Sequence, residues 1–194
     1  MSNIVETFDA ISIKNSSVQM HNSDGTKEDG TKFGCVGSMS GETTLRELIK
    51  RCEGVEVKKR TKPEKLDLTV SAHVPVAVLR DLFGLSNDDL KPGVYAYSTD
   101  AKGKEFTYTA DVMDEFEDIT KLIAFPRCIS ATGFKFSVEN GADEVAEMEL
   151  QLTAYPDKKN KFYYEALVNE LDEELQDEWH KNFTYELVEA IPTP

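Results

Sequence analysis

Asp111, Asp114, Glu115, Glu117 and Asp118 crowd five carboxylates into eight residues, and such a run can do chemistry in two ways. Paired carboxylates serve as general acid and base in hydrolysis, and a ring of carboxylate oxygens holds calcium. The run lacks the Asp-x-Asp-x-Asp-Gly order and the distal Glu of a calcium loop. It therefore reads as a solvated acidic loop, the usual fate of a charge run. His21, His73 and His180 are scattered, and none stands at metal-ligand spacing from a Cys or another His. Gly34-Cys35-Val36-Gly37-Ser38 is glycine-rich, but it lacks the Lys-Ser/Thr ending of a phosphate loop and precedes no strong helix. A Ser or Cys nucleophile would need a His and an orienting acid, and bringing those together is a matter for the fold. The expectation is a protein that is not an enzyme and needs neither metal nor cofactor.

Cys35, Cys52 and Cys128 are odd in number and unpaired in spacing, which fits neither a disulfide framework nor a zinc knuckle. They are expected as reduced thiols, two or three of them buried. Across 194 residues, 22 Lys+Arg stand against 36 Asp+Glu, a net charge of −14 that disfavours a surface built to grip phosphates. Lys58, Lys59, Arg60, Lys62 and Lys65 run against that balance. They lack the interleaved aromatics of a nucleic-acid surface. Two readings remain: a solvated hairpin tip, or a contact with an acidic loop of a neighbouring subunit, where complementary charge fixes register. The length suits one domain, 1–194, with an N-terminal arm at about 1–7 and a C-terminal helix and arm at about 168–194. No uncharged apolar run is long enough for a membrane helix and no signal peptide opens the chain, so a soluble protein made in the cytoplasm is expected.

Period-two alternation dominates the elements that must position these groups. Leu66, Leu68, Val70 and Ala72 share one face, as do Phe106, Tyr108, Ala110 and Val112, then Phe134, Phe136 and Val138, then Ala146, Met148, Leu150 and Leu152. The chain is expected to be mainly β, with hairpin turns at Thr61–Glu64, at Asp100–Lys104 after a strand near Val94–Ser98, and at Asn140–Asp143. The repeated Asp-Gly-Thr-Lys at 24–27 and 29–32 reads as a mobile hairpin tip. Apolar faces left by the hairpins predict an antiparallel β-sandwich or half-barrel of two sheets. A helix is expected from Pro75 to Phe83, stopped by Gly84, and another over Asn169–Lys181 with Asn169 as its cap. Phe183, Tyr185, Leu187 and Val188 predict a last strand and an extended tail, Ile191–Pro194. Leu45, Leu48, Ile49 and Cys52 have helical spacing, so Glu42–Cys52 reads as a helix within a loop.

Several short stretches together resemble the major tail tube proteins of long-tailed, siphovirus-type bacteriophages. They are Val36-Gly37-Ser38-Met39, Glu42-Thr43, the Val78–Leu82 helix with Gly84, Ala146-Glu147-Met148-Glu149-Leu150, Tyr155-Pro156-Asp157 and Phe162-Tyr163-Tyr164. The order spans roughly Gly34–Leu167. The resemblance implies a β-sandwich with a flanking α-helix that forms hexameric rings stacked into a hollow tube in the virion. Its implied partners are further copies of itself and the tape measure, tail terminator and distal tail proteins. Phage DNA would cross the lumen without specific binding and the protein would not insert in a membrane. Against a polyanion, a lumen lined by Glu147, Glu149 and Gln151 would repel and stay wet, although the same residues suit an outer wall equally. Glu42, Thr43, Thr44, Leu45 and Leu48 become a candidate ring-stacking loop, which the resemblance makes a loop or an extended strand pair. Lys58, Lys59, Arg60 and Lys62 become candidate inter-subunit contacts. The inner tube of a contractile tail or tail-like bacteriocin, and a virion receptor- or carbohydrate-binding β-sandwich, are the alternatives.

Overall fold

The computed structural model describes residues 7–116, 119–136, 145 and 147–190. The protein is mainly β. Its strands are β1 (Ala10–Met20), β2 (Thr31–Lys32), β3 (Cys35–Cys52), β4 (Val55–His73), β5 (Phe106–Asp114), β6 (Thr120–Ser130), β7 (Met148–Ala154) and β8 (Tyr164–Leu167). Helices α1 (Val76–Phe83), α2 (Glu173–Trp179) and α3 (Tyr185–Val188) complete the described elements, with a single 3-10 turn at Val168–Glu170.

Where two sheets were expected, hydrogen bonding joins the strands into one antiparallel sheet of order β2-β1-β5-β6-β7-β4-β3, with β8 added on β6. The bend in β6 explains how. Its first half, Lys121–Ala124, pairs with β8, and its second half, Cys128–Ser130, pairs with β7. Pro126 sits between, where it owes no N–H to a ladder. The bulge is in β6 itself, which takes three residues from Phe125 to Cys128 where β5 takes two from Tyr108 to Phe106. Thr107 Oγ1 pins the bulge by donating to the Pro126 carbonyl at 2.8 Å. A strand that changes neighbours at a bend lets one sheet enclose two sides of a core.

Alternation fills that core as the sequence predicts. Leu68, Val70, Phe106, Tyr108, Leu150 and Leu152 are buried together, and Phe33 meets Tyr108 edge-on at 5.1 Å. Helix α1 closes one side through Val78, Leu82 and Phe83. It ends at Gly84, whose φ of 69° is the left-handed cap that favours glycine. The opposite face of β6 is covered by the C-terminal segment, where Trp179 and Phe183 bury Leu122 and Ala124.

The two ends of the sheet nearly meet. Phe33 N–H donates to the Ser16 carbonyl at 2.9 Å, tying the chain just before β3 to β1. Toward Ala10 and Gly41 the strands part, leaving a cleft of about 850 Å³ lined by Ile11, Ile13, Met39, Leu66, Phe125 and Tyr163 among others.

Several expectations are corrected. Glu42–Cys52 is strand, not helix: its leucines have helical spacing, but a 17-pair register with β4 overrides that local preference. Thr61–Glu64 is no turn, because Pro63 is accommodated beside an irregularity where Thr44 pairs with Lys65 and Leu45 with Pro63. The turn is Glu53-Gly54, with φ of 50° and 83°, the two positive values a tight hairpin turn requires. Val94–Ser98 forms no strand beyond an isolated bridge from Ser86 to Ala96, and Phe134 and Phe136 lie outside any strand. The helix over Asn169–Lys181 begins later, where the Asp172 carboxylate accepts from Leu175 N–H at 2.8 Å in place of Asn169. The last strand is helix α3, capped by Thr184. Of the cysteines only Cys128 is buried. Asp111 and Asp114 are buried rather than solvated. The Asp24–Lys27 turn is anchored, since Lys27 Nζ donates to Thr107 Oγ1 at 3.0 Å and to the Phe183 carbonyl at 2.9 Å. Glu117, Asp118, Val138, the Asn140–Asp143 turn, Ala146, Ile191–Pro194 and most of the N-terminal arm lie outside the described residues.

Candidate functional site

Strand β4 pairs with β7 only from Leu66 to Ala72, whereas it pairs with β3 all the way to Val55. Beyond the Thr44–Lys65 pair, β3 and β4 therefore leave the sheet as a two-stranded arm. At about 3.3 Å per residue it projects roughly 30 Å. The side chains of 45–63 are almost all exposed, among them Leu45, Leu48, Ile49, Val55 and Val57. A lone two-stranded ribbon is marginal in water, and apolar residues on it gain nothing until something covers them.

The root is clamped. The Asp67 carboxylate receives Lys65 Nζ at 3.0 Å, Thr44 Oγ1 at 3.0 Å and Thr153 Oγ1 at 2.8 Å, joining β3, β4 and β7 at one point. Those bonds, led by the one from Lys65, hold the Asp67 carboxyl below its ordinary range and raise the Lys65 ammonium.

Parity sorts the arm residues. Arg46, Leu48 and Lys50 stand directly opposite Lys62, Arg60 and Lys58, so five cations share one face with a single leucine. Lys59 points to the other face, where it pairs with Glu47 at 2.6 Å. That bond raises its ammonium above the ordinary value. Of the four expected basic contacts, Lys58, Arg60 and Lys62 are thus brought together and Lys59 is not. Arg46 and Lys50 were missed. Their signal was the i, i+2 spacing of Arg46, Leu48 and Lys50, which has meaning only for a strand. The expected stacking loop likewise divides. Glu42, Thr43 and Thr44 belong to the root, opposite Asp67, Leu66 and Lys65, while Leu45 and Leu48 sit on opposite faces of the arm. Glu147, Glu149 and Gln151 are exposed. Glu149 and Gln151 stand opposite Ser71 and Thr69, away from buried Leu150 and Leu152. The Glu147 carboxylate lies against Gly37 of β3.

A second constellation lies under the C-terminal segment. His180 Nε2 is 2.8 Å from Asp111 Oδ1, and His180 Nδ1 is 2.8 Å from Thr109 Oγ1. The carboxylate only accepts, so Nε2 carries the proton and, in the neutral ring, Nδ1 accepts from the threonine. Asn15 Nδ2 donates to Asp111 Oδ2 at 2.6 Å, and Ser17 Oγ to the His180 carbonyl at 2.8 Å. Hydroxyl, imidazole and carboxylate are ordered as in a nucleophile relay. The Thr109 side chain, however, is buried beneath the segment that supplies His180. Held in this way, the three groups lock β5 to the C-terminal cover.

Close by, His21 Nε2 lies 2.8 Å from Thr107 Oγ1. Thr107 spends its proton on Pro126, so His21 Nε2–H is the donor. Burial foremost, then the Lys27 ammonium, with Glu105 opposing and Arg127 adding, lowers the His21 pKa from 6.5 to about 4. Below pH 6.5 the unfolded chain takes up a proton that the folded chain refuses. The stability due to His21 is therefore complete above pH 6.5 and lost as pH falls toward 4. Allowing for solvent screening, about 1–2 kcal/mol should go between those limits. Urea unfolding at pH 7 and pH 4.5 should show His21→Gln losing less stability than the parent, and equal losses would refute the assignment.

Among the described residues no group of three His, Cys, Asp or Glu is placed to hold a metal, and no helix is long and apolar enough to cross a membrane. Comparison with models of known protein families finds no match. Comparison with curated proteins finds none either.

Proposed function

We propose that this chain is a structural subunit that assembles with copies of itself, as a phage tail tube protein does in closing hexameric rings and stacking them into a conduit for DNA. The projecting arm carries this reading. Roughly 30 Å of ribbon with exposed Leu45, Leu48, Ile49, Val55 and Val57 is left uncovered by the described residues, and a neighbouring copy is the partner always at hand. The outer edge of β3 adds to it, since among the described strands β3 pairs with β4 alone and offers a row of N–H and C=O groups along 18 residues. Ring closure satisfies such an edge without leaving another exposed. Assembly in the virion with tape measure, terminator and distal tail proteins follows from this reading. So does an acidic lumen with Glu147, Glu149 and Gln151 as its candidate lining, or the inner tube of a contractile tail in place of a noncontractile one.

The cleft between β1 and β3 favours a second reading. Its aromatic lining of Phe8, Phe125, Phe162 and Tyr163 suits a virion β-sandwich that binds a receptor or carbohydrate. Negative-stain electron microscopy at high protein concentration, with and without moderate salt, separates the two. Hollow rings or tubes of uniform width are expected. Particles that stay monomeric under every condition would move the binding module to first place.

A further inference from the structure

Charge is segregated along this molecule. Residues 44–65 hold eight of the 22 Lys+Arg residues and four of the 36 Asp+Glu, so the arm carries +4 while the remainder, with 14 cations and 32 carboxylates, carries −18. On the basic face Lys50 stands opposite Lys58 and Arg46 opposite Lys62. Like charges directly across a ladder oppose its pairing. None of these five cations makes an ion pair among the described residues. The nearest pair on the arm, Lys59 with Glu47, is on the other face. The body has a matching surface at Glu170–Glu178, where six acids fall in nine residues. Glu173, Glu174 and Asp177 are exposed there and have no ion-pair partner among the described residues.

We infer that the basic face of the arm, Arg46, Lys50, Lys58, Arg60 and Lys62, docks on the acidic C-terminal surface of a second copy around Glu173, Glu174 and Asp177. This deepens the self-assembly reading and rests on it for the partner's identity. The partner is a second copy rather than a nucleic acid because every copy brings the complementary acids, whereas a polyanion approaching the arm must also approach a body at −18. Opposed patches of this kind steer encounter and set register, and salt weakens them.

The test is sedimentation velocity on the full chain across a salt series, with two charge-reversal variants. One carries Lys58→Glu, Arg60→Glu and Lys62→Glu, and the other Glu173→Lys, Glu174→Lys and Asp177→Lys. The parent should self-associate at low salt and weaken as salt rises. Each variant alone should associate about tenfold or more weakly. Mixing the two should restore association, since the acidic helix of the first then meets the basic arm of the second. Circular dichroism checks folding, and the parent's salt series stands whether or not a variant folds. A parent that is monomeric at low salt, association indifferent to salt, or a mixture no stronger than its components overturns the inference. So does a parent that retains a DNA duplex but not itself. Tubes that persist in the arm variant would defeat this contact while leaving the assembly reading intact. Salt-sensitive pairing with no tubes would do the reverse.

Discussion

Removing residues 45–64 and joining Thr44 to Lys65 through Asn-Gly should abolish assembly while leaving the body folded. The cut keeps the root clamp, because Lys65 and Thr44 still reach Asp67. The new turn replaces one tight hairpin with another, and Asn-Gly supplies the two positive φ values it needs. Of the deleted side chains, only Pro63 lines the cleft, and none belongs to the buried core. The change in unfolding free energy should stay within about 1 kcal/mol, as for surface substitutions remote from any packed feature. Assembly, in contrast, loses the basic face and five exposed apolar residues at once. Electron microscopy and urea unfolding on one preparation check both halves. Tubes built from the shortened chain would show that the arm is not the joint, and an unfolded product would show that it belongs to the core.

Trp179→Ala should cost about 3–5 kcal/mol, the range for removing a fully buried aromatic. Its ring is 2% exposed, stacks edge-on to Phe183 at 4.9 Å, and its Nε1–H donates to the Ile123 carbonyl at 3.2 Å. Against a typical domain stability of 5–15 kcal/mol, a loss of that size is a large fraction of the whole. The damage spreads because His180 follows in sequence, and releasing it leaves Asp111 and Thr109 buried without their partner. Trp179→Phe keeps most of the packing and forfeits the hydrogen bond, so it should cost clearly less. Equilibrium urea unfolding of both variants measures this. A loss below 1 kcal/mol for the alanine variant would mean that the C-terminal cover is not coupled to the sheet.

The strands were legible in the sequence, since Leu66 to Ala72 and Phe106 to Val112 alternate apolar with polar residues, although in β5 the polar set Thr107, Thr109 and Asp111 is buried as well. Helix α1 was legible for the same reason, with an apolar stripe and a glycine stop. The arm was not. A strand exposed on both faces has no alternation to display, so the accidental helical spacing of Leu45, Leu48, Ile49 and Cys52 prevailed, and Pro63 passed for a turn. Its basic face was half visible, because Lys58, Arg60 and Lys62 are close in sequence while Arg46 and Lys50 join them only through register. The lock at Asp111 was illegible for another reason. Asn15, Asp111 and His180 are separated by 96 and 69 positions, and no local pattern reports a hydrogen bond of that span. Counted along the chain, Asp111 looks like the start of an acidic run, whereas in the fold it is the point where three distant segments meet.

The parting of β1 from β3 also sets where this sheet breathes. Ladder bonds protect an amide from exchange with solvent only while the neighbouring strand stays in place. In β5 and β6 both flanks are paired, and the backbone is covered on both faces. On the cleft side of Ala10–Ile13 no described strand pairs with β1. Deuterium should therefore enter from the seam inward, soonest at the open end near Ala10 and Gly41 and later where Ser16 holds Phe33, and last of all at Tyr108. The slowest amides would then mark the part of the molecule that unfolds only as a whole.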